Sequence, residues 1–594
     1  MLNPKKELLS IAFFLFALSY AFSQNDSLFY VKYNDNFNSL NDTIFSNEFN
    51  IDNVFYKYQS PFTYNFNLGN FSSANYTPLI HNLNTNYTVN ENFYSFRKNE
   101  KGYYFTSKPL TILKYVNGRR REQLFNLFHT NNITKHWNIT LSYDRFFTTG
   151  FYLNQLTKGS SFKLSSILFS KKIILRFNYF QNKGNQQENG GIANVSDFED
   201  NILLNRKTIN VNLNNAENIY LDKNASLNAT YYFNNESYTG IYLKPEIGFQ
   251  LNIKKFTDEN PVSGFFDNVY IDSIQTKDSI SQYIFSPAFS VGFKNEFLDA
   301  NVYYMHQFEK YSQNYFIAID TLNTYAGSNI SFNLNKFYSF NKMEYSLLGY
   351  RKNDIFFSSS NSYINNHDTI SLTANYSKLA PNYHVKYYYS NNFNWSYKFN
   401  KVEQLFFDFK FKWHKLPIAL KTSSKFAKQY IFYDEQSRPK QFSEYINANS
   451  ISLASKLKWK NIFFNTWLTY QYISDKNIIP LPDFLARQMI YYQFKLFKKK
   501  VLTAKIGVDL FYYTEHYGYN YQPALGVFYL QHNNLTGNYP YADIFLEATI
   551  KRAKLFIKYE HINAGLLDYN YYTTYGYPMG DRALRLGLNW ILWN

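Results

Sequence analysis

Ten histidines are scattered along the chain, and no cysteine occurs. There is no G-x-S-x-G elbow, no H-E-x-x-H pair, no Walker or dinucleotide glycine pattern and no D-x-D-x-D-G loop, so the sequence offers no nucleophile–base or metal-ligand constellation. A lone His306 or His384 reads as an interior or interface residue. The chain is therefore expected to need no cofactor and to perform no catalysis.

The side chains that could do chemistry are charges and amides recurring at every second position: Asn138 and Asp144, Arg176, then Asp408, Lys410 and Lys412, then Lys505, and finally Arg552, Lys554 and Lys558. Gathered around a water-filled passage, these cations would raise its potential and favour anions over cations of equal size. The same charges could instead pair with Asp144, Asp408, Asp509 and Glu560 on neighbouring strands. The sequence leaves both open.

The elements that must position them are strands, because the pattern has period two. Trp137, Ile139, Leu141 and Tyr143 alternate with Asn138, Thr140, Ser142 and Asp144. Ile173, Leu175, Phe177 and Tyr179 oppose Arg176 and Asn178, and Ala225, Leu227, Ala229, Tyr231 and Phe233 oppose Ser226, Asn228 and Thr230. Leu405, Phe407, Phe409, Phe411 and Trp413 oppose Asp408, Lys410 and Lys412, with Phe406 as the apolar exception. Leu502 to Leu510 and Ala553 to Tyr559 repeat the rule. Lysine on a lipid-facing wall costs a few kcal/mol at mid-depth, so the charged face must be the lumen of a barrel. Runs of ten or more residues suit a tilted bilayer crossing better than a soluble sandwich.

Composition agrees: 58 Tyr and 59 Phe bring the aromatic share to 21%, with polar residues between them. A membrane barrel can turn such rings outward to lipid and to its interfacial girdles. The formal charge of +17 points to anionic lipid head groups or a cation-lined pore rather than nucleic acid.

Lys5 and Lys6, the apolar run from Leu8 to Phe22 and the small residues before Gln24 read as a signal peptide over 1–23. Residues 24–60 are polar and without period, a flexible periplasmic arm. Residues 61–109 are a loop-rich plug or irregular early strands, and 110–594 are the barrel. The fold expected is all-β, a transmembrane antiparallel barrel of about 16–18 strands. Ser170 to Lys172 and Ile550 to Arg552 read as short periplasmic turns. Asn182 to Lys223, Lys254 to Gln282 and Ile431 to Ser450 read as surface loops, and three short links near Lys378, Asn400 and His414 break the order.

The closing segment puts Leu584, Leu586, Leu588, Trp590 and Leu592 on one face, with Arg585, Gly587, Asn589 and Trp593 on the other. Leu588, Trp590 and Trp593 resemble the terminal aromatic signal that the outer-membrane insertion machinery reads. Tyr577-Pro578-Met579-Gly580-Asp581-Arg582 followed by Leu586-Gly587-Leu588-Asn589-Trp590 resembles the C-terminal hallmark of the Putative porin family of Bacteroidetes. Leu68-Gly69-Asn70-Phe71-Ser72-Ser73-Ala74 and Gln187-Glu188-Asn189-Gly190-Gly191-Ile192 are similar to two further motifs of that family, although Gly580-Asp581 stands where Pro-Gly is common.

The resemblance implies an outer-membrane barrel with channel activity for small hydrophilic solutes. Outer-membrane lipid and lipopolysaccharide would be its surroundings, and a homo-oligomer is compatible with it. The rival role is a non-conducting barrel serving as scaffold, adhesin or secretion component, plugged by residues 61–109. The triplets at Asp42, Asp272, Asp278, Asp320 and Asp368, each followed by Ser or Thr and then Ile or Leu, resemble O-glycan acceptors, which surface loops would tolerate.

Overall fold

The computed structural model describes residues 102–593 apart from 107, 204, 235–237, 316–317, 366–367 and 498–500, together with the backbone of four short strands at 30–33, 39–40, 62–64 and 72–74. The expected signal peptide, the triplet at Asp42, most of the arm and most of the plug segment lie outside these residues.

Twenty-two antiparallel strands close into one barrel. The wall begins at Leu110–Gly118 and ends at Ala583–Trp593, and these two strands pair in a register that sets Leu110 opposite Trp593 and Gly118 opposite Arg585. Every wall strand thus has two partners and no edge is left open. The dry faces read from the sequence are outward faces: Leu227, Phe407, Phe409, Leu555, Ile557, Leu584 and Leu586 are all exposed large apolar side chains on the outside of the wall. An even-numbered barrel with that outer band lies in the outer membrane.

The strand number corrects the expected 16–18. Period two is visible only where one face is dry and the other wet, and several strands lack that contrast. Ile355–Asn365 carries Ser358, Ser359 and Ser360 on both faces in succession. Leu110–Gly118 is apolar on both, because the inward-facing Leu110, Ile112 and Val116 are fully buried. The presumed loop Ile431 to Ser450 is strand on either side of a turn at 434–438. Likewise, strands run on to Glu188 and Asp258 and start again at Ala216 and Thr276. The links near Lys378 and Asn400 are the two ends of one loop, 380–401, whose own hairpin Tyr387–Tyr389 and Asn394–Ser396 mimics wall strands. With those corrections every second link is short. All the long loops fall at one end, and only links of two to seven residues at the end holding Leu110 and Trp593, which is therefore the periplasmic end.

Tyr103–Thr106 is not part of the wall. It pairs with Tyr30–Tyr33 and sits inside the barrel, where Tyr103 is buried with Ile167, Ile174, Tyr232 and Tyr242, and Asn132 Nδ2 donates to Thr106 O at 2.7 Å. Phe62–Tyr64 pairs with Ser72–Ala74 of the first motif.

Candidate functional site

The inward face is a wall of paired charges. Lys410 lies 3.3 Å from Asp408, Lys505 lies 3.0 Å from Glu547 and Lys558 lies 2.6 Å from Asp543. Arg487 grips Asp509 with two bonds of 3.0 and 2.8 Å. Arg176 donates to Asn228 Oδ1 at 3.2 Å and Thr230 Oγ1 at 3.0 Å, Asn138 bonds Asn132, Thr130 and Thr140, and Asp144 accepts from Asn126. Ion pairing thus takes up Lys410 along its own strand and Lys505 and Lys558 across strands, three of the seven cations expected to polarise the passage.

Lys554 faces inward between Thr549 and Asn589. Lys412 shares with Lys456, Trp467 and Met489 a recess of about 370 Å³ on the inner wall. Arg552 is a correction. Ile550 pairs with Ala553, so Arg552 is a turn residue; its Nη1 donates to Trp593 O at 2.9 Å and its guanidinium stacks 3.7 Å over the Trp593 ring, at the periplasmic rim. Leu588 and Trp590 point outward in the last strand, and Trp593 ends it.

The outer mouth is a feature that sequence reasoning missed. Segment 514–540 leaves the strand Leu502–Tyr513 and reaches strands Ala216–Tyr232 and Gly240–Asp258 across the ring. There Asn218 Nδ2 donates to Pro523 O at 2.8 Å, Lys254 Nζ to Ala524 O at 2.7 Å, and Tyr521 Oη to Glu188 Oε1 at 3.0 Å. Leu525 packs among Ile280, Tyr311, Tyr388 and Trp395, joining this segment to loop 380–401. Asn391 of that loop then takes up the backbone N–H groups of Ile271 and Asp272 and donates to Asp272 O and Thr276 Oγ1. Three loops are therefore locked together over the lumen. Of the five candidate glycan triplets, Asp272-Ser273-Ile274 lies exposed in such a loop, whereas those at Asp278, Asp320 and Asp368 lie in strands.

The two motifs at 187–192 and 577–582 meet at the same end. Ile192 N donates to Gly576 O at 2.9 Å, and Gly191 adopts φ of 85° where a Cβ would come 3.0 Å from that oxygen. Arg206 pairs with Asp581 at 3.0 Å and lies 4.6 Å over the Phe198 ring, while Tyr571 Oη donates to Asp581 Oδ1 at 2.9 Å. Phe151, Tyr152, Phe198, Tyr539, Tyr571, Tyr572 and Met579 form an apolar hub inside these loops. A loop this rich in Tyr and Phe is a poor match to a solvated surface segment, and that was the available signal.

Two loop histidines, His516 and His561, are buried, and His384 is half-buried. His561 bonds Tyr539 Oη at 2.8 Å and Gly580 O at 2.7 Å, with Asp581 and Arg582 nearby. Burial pushes it down to about 4, and does the same to His384, beside Lys254, and to His516, between Asp483 and Lys476.

The model of the family described as Putative porin matches residues 24–594, and the chain belongs to that family. No curated protein sequence matches it. Among solved structures it is similar to the FrpB iron transporter of Neisseria meningitidis (F5-1 variant, apoprotein), with TM-score 0.55, 10% identity and 82% and 81% of the two chains covered. It is also similar to a mutant of the ferric enterobactin receptor PfeA of Pseudomonas aeruginosa, with TM-score 0.56, 9% identity and 82% and 80% covered. A third is the copper transporter OprC, with TM-score 0.57, 8% identity and 82% and 80% covered. At such identities the likeness is one of fold.

Proposed function

We propose that this barrel is a gated conduit for small hydrophilic solutes across the outer membrane and not an enzyme. The observation that carries the reading is segment 514–540, which spans the mouth and is held on the opposite wall by Asn218, Lys254 and Glu188. A barrel of 22 strands is wide enough for an aqueous path, so its state depends on what fills it. The solved transporters of similar fold support passage rather than scaffolding. Free diffusion through a permanently open mouth fits the locked loops less well.

Acid is expected to open it. In docked loops His384, His516 and His561 stay neutral down to about 4, whereas in released loops each takes a proton near 6.5. For these three groups the released state binds more protons, so their contribution to docking is full above 6.5 and is lost as pH falls from 6.5 towards 4. Glu188, pushed up to about 8 by burial, works the other way and offsets part of the loss. Planar-bilayer recordings should show rare openings at pH 7.5 and rising open probability below 6.5. A barrel silent at every pH would favour the scaffold reading.

Lys412, Lys456 and Lys554 line the inner wall outside the ion pairs named above and contribute to any anion preference. Reversal potentials in a salt gradient should favour chloride weakly, and changing all three to glutamine should reduce the preference. Cation selectivity in the unaltered protein would reject this point.

A further inference from the structure

The excess positive charge is concentrated at one end. Lys135, Lys171, Lys336, Lys415, Lys460 and Lys551 all lie exposed in the periplasmic turns, and Glu296 is the one carboxylate among the described residues of those turns. The loops at the opposite end mix both signs, with Asp197, Glu199, Asp267, Asp475 and Asp568 among their acids.

Tryptophan is concentrated at the same end. Trp137, Trp413, Trp459 and Trp590 face outward at 36, 41, 62 and 45% exposure, each within a residue or two of a basic turn along the chain or across the sheet. Lys460 lies 5.6 Å over the Trp459 ring. An indole belt marks the level of the membrane–water interface, so the lysines stand at head-group depth. Their charge fits an anionic partner there, and the nearest anions at that depth are lipid phosphates.

We propose that this rim binds anionic phospholipid of the periplasmic leaflet, each exposed lysine neutralising a head group beside the indole belt. The interaction is electrostatic at an exposed site, so salt weakens it. It orients the barrel and fixes its depth from below, whereas lipopolysaccharide would meet the charge-mixed opposite end. The proposal does not depend on whether the barrel conducts.

The full-length protein, reconstituted in mixed vesicles, tests this through its own tryptophans. Brominated phosphatidylglycerol should quench them at lower mole fraction than brominated phosphatidylcholine, by about fivefold if a contact is worth about 1 kcal/mol. The preference should collapse in 0.5 M salt, a measurement that needs no variant. It should also collapse in a protein with all six lysines changed to glutamine that still migrates as folded in unheated gels. Equal quenching by the two lipids, or a preference that survives both salt and substitution, would overturn the proposal. So would loss of the phosphatidylglycerol effect on adding lipopolysaccharide to the unaltered protein.

Discussion

Changing Arg585 to alanine is expected to cost the barrel about 3–5 kcal/mol of stability. Arg585 is 1% exposed and sits in the last wall strand. It holds Glu122, at the far end of the first hairpin, at 2.5 Å and Glu560 of the preceding strand at 3.1 Å. The guanidinium therefore links the two ends of the wall where the cylinder closes. Its removal leaves two carboxylates buried without their cation, which is why the loss exceeds that of a surface pair. Lysine should rescue only partly, because one ammonium cannot reproduce the forked contacts. The readout is the urea midpoint of the folded band in unheated gels, and an unchanged midpoint would remove Arg585 from any closing role.

Excising the tip of the crossing segment, residues 519–533, and joining the ends with a short Gly-Ser turn should turn a mostly closed barrel into a mostly open one. The bonds to Asn218, Lys254 and Glu188 are lost together. At about 1 kcal/mol net for each, the closed state loses about 3 kcal/mol, a shift of about a hundredfold in the closed–open equilibrium. The strands Leu502–Tyr513 and Tyr541–Ile550 pair directly with each other, and His516–Tyr517 pairs with Leu535–Thr536 at the base of the loop, so the wall does not depend on the tip. Single-channel recording is the check. Unchanged open probability would mean that the passage is blocked elsewhere, with the inner strand Tyr103–Thr106 the next element to remove.

Much of the wall was legible in the sequence because lipid and water impose opposite demands on alternate side chains. The strand Val402–Trp413 shows this, with Phe407, Phe409 and Phe411 outward and Asp408 and Lys410 inward. Legibility failed wherever the inside is itself dry. Phe545 and Phe556 face inward and pack with Val116, and Gly587 stands where a Cβ would collide with the Phe556 ring, so both faces of those strands look apolar. It failed also where both faces are Ser and Asn. The ion pairs were half legible: Asp408, Asp509 and Glu560 were named as partners, but Glu122, Asp543 and Glu547 come from strands whose register no local pattern reveals. The mouth was hidden for a different reason. Its contacts join residues hundreds of positions apart, as Ile192 to Gly576, and alternation within a strand carries no trace of them.

A thiol bridge across the mouth addresses gating itself, and the chain's lack of native cysteines makes it unambiguous. Cysteines at Lys254 and Ala524, joined by a short bifunctional thiol reagent, should hold the segment against the wall and silence the barrel even at pH 4.5, with conduction returning once a cleavable bridge is reduced. Equal currents from bridged and reduced protein would contradict the account, because the crossing segment would then not be the gate.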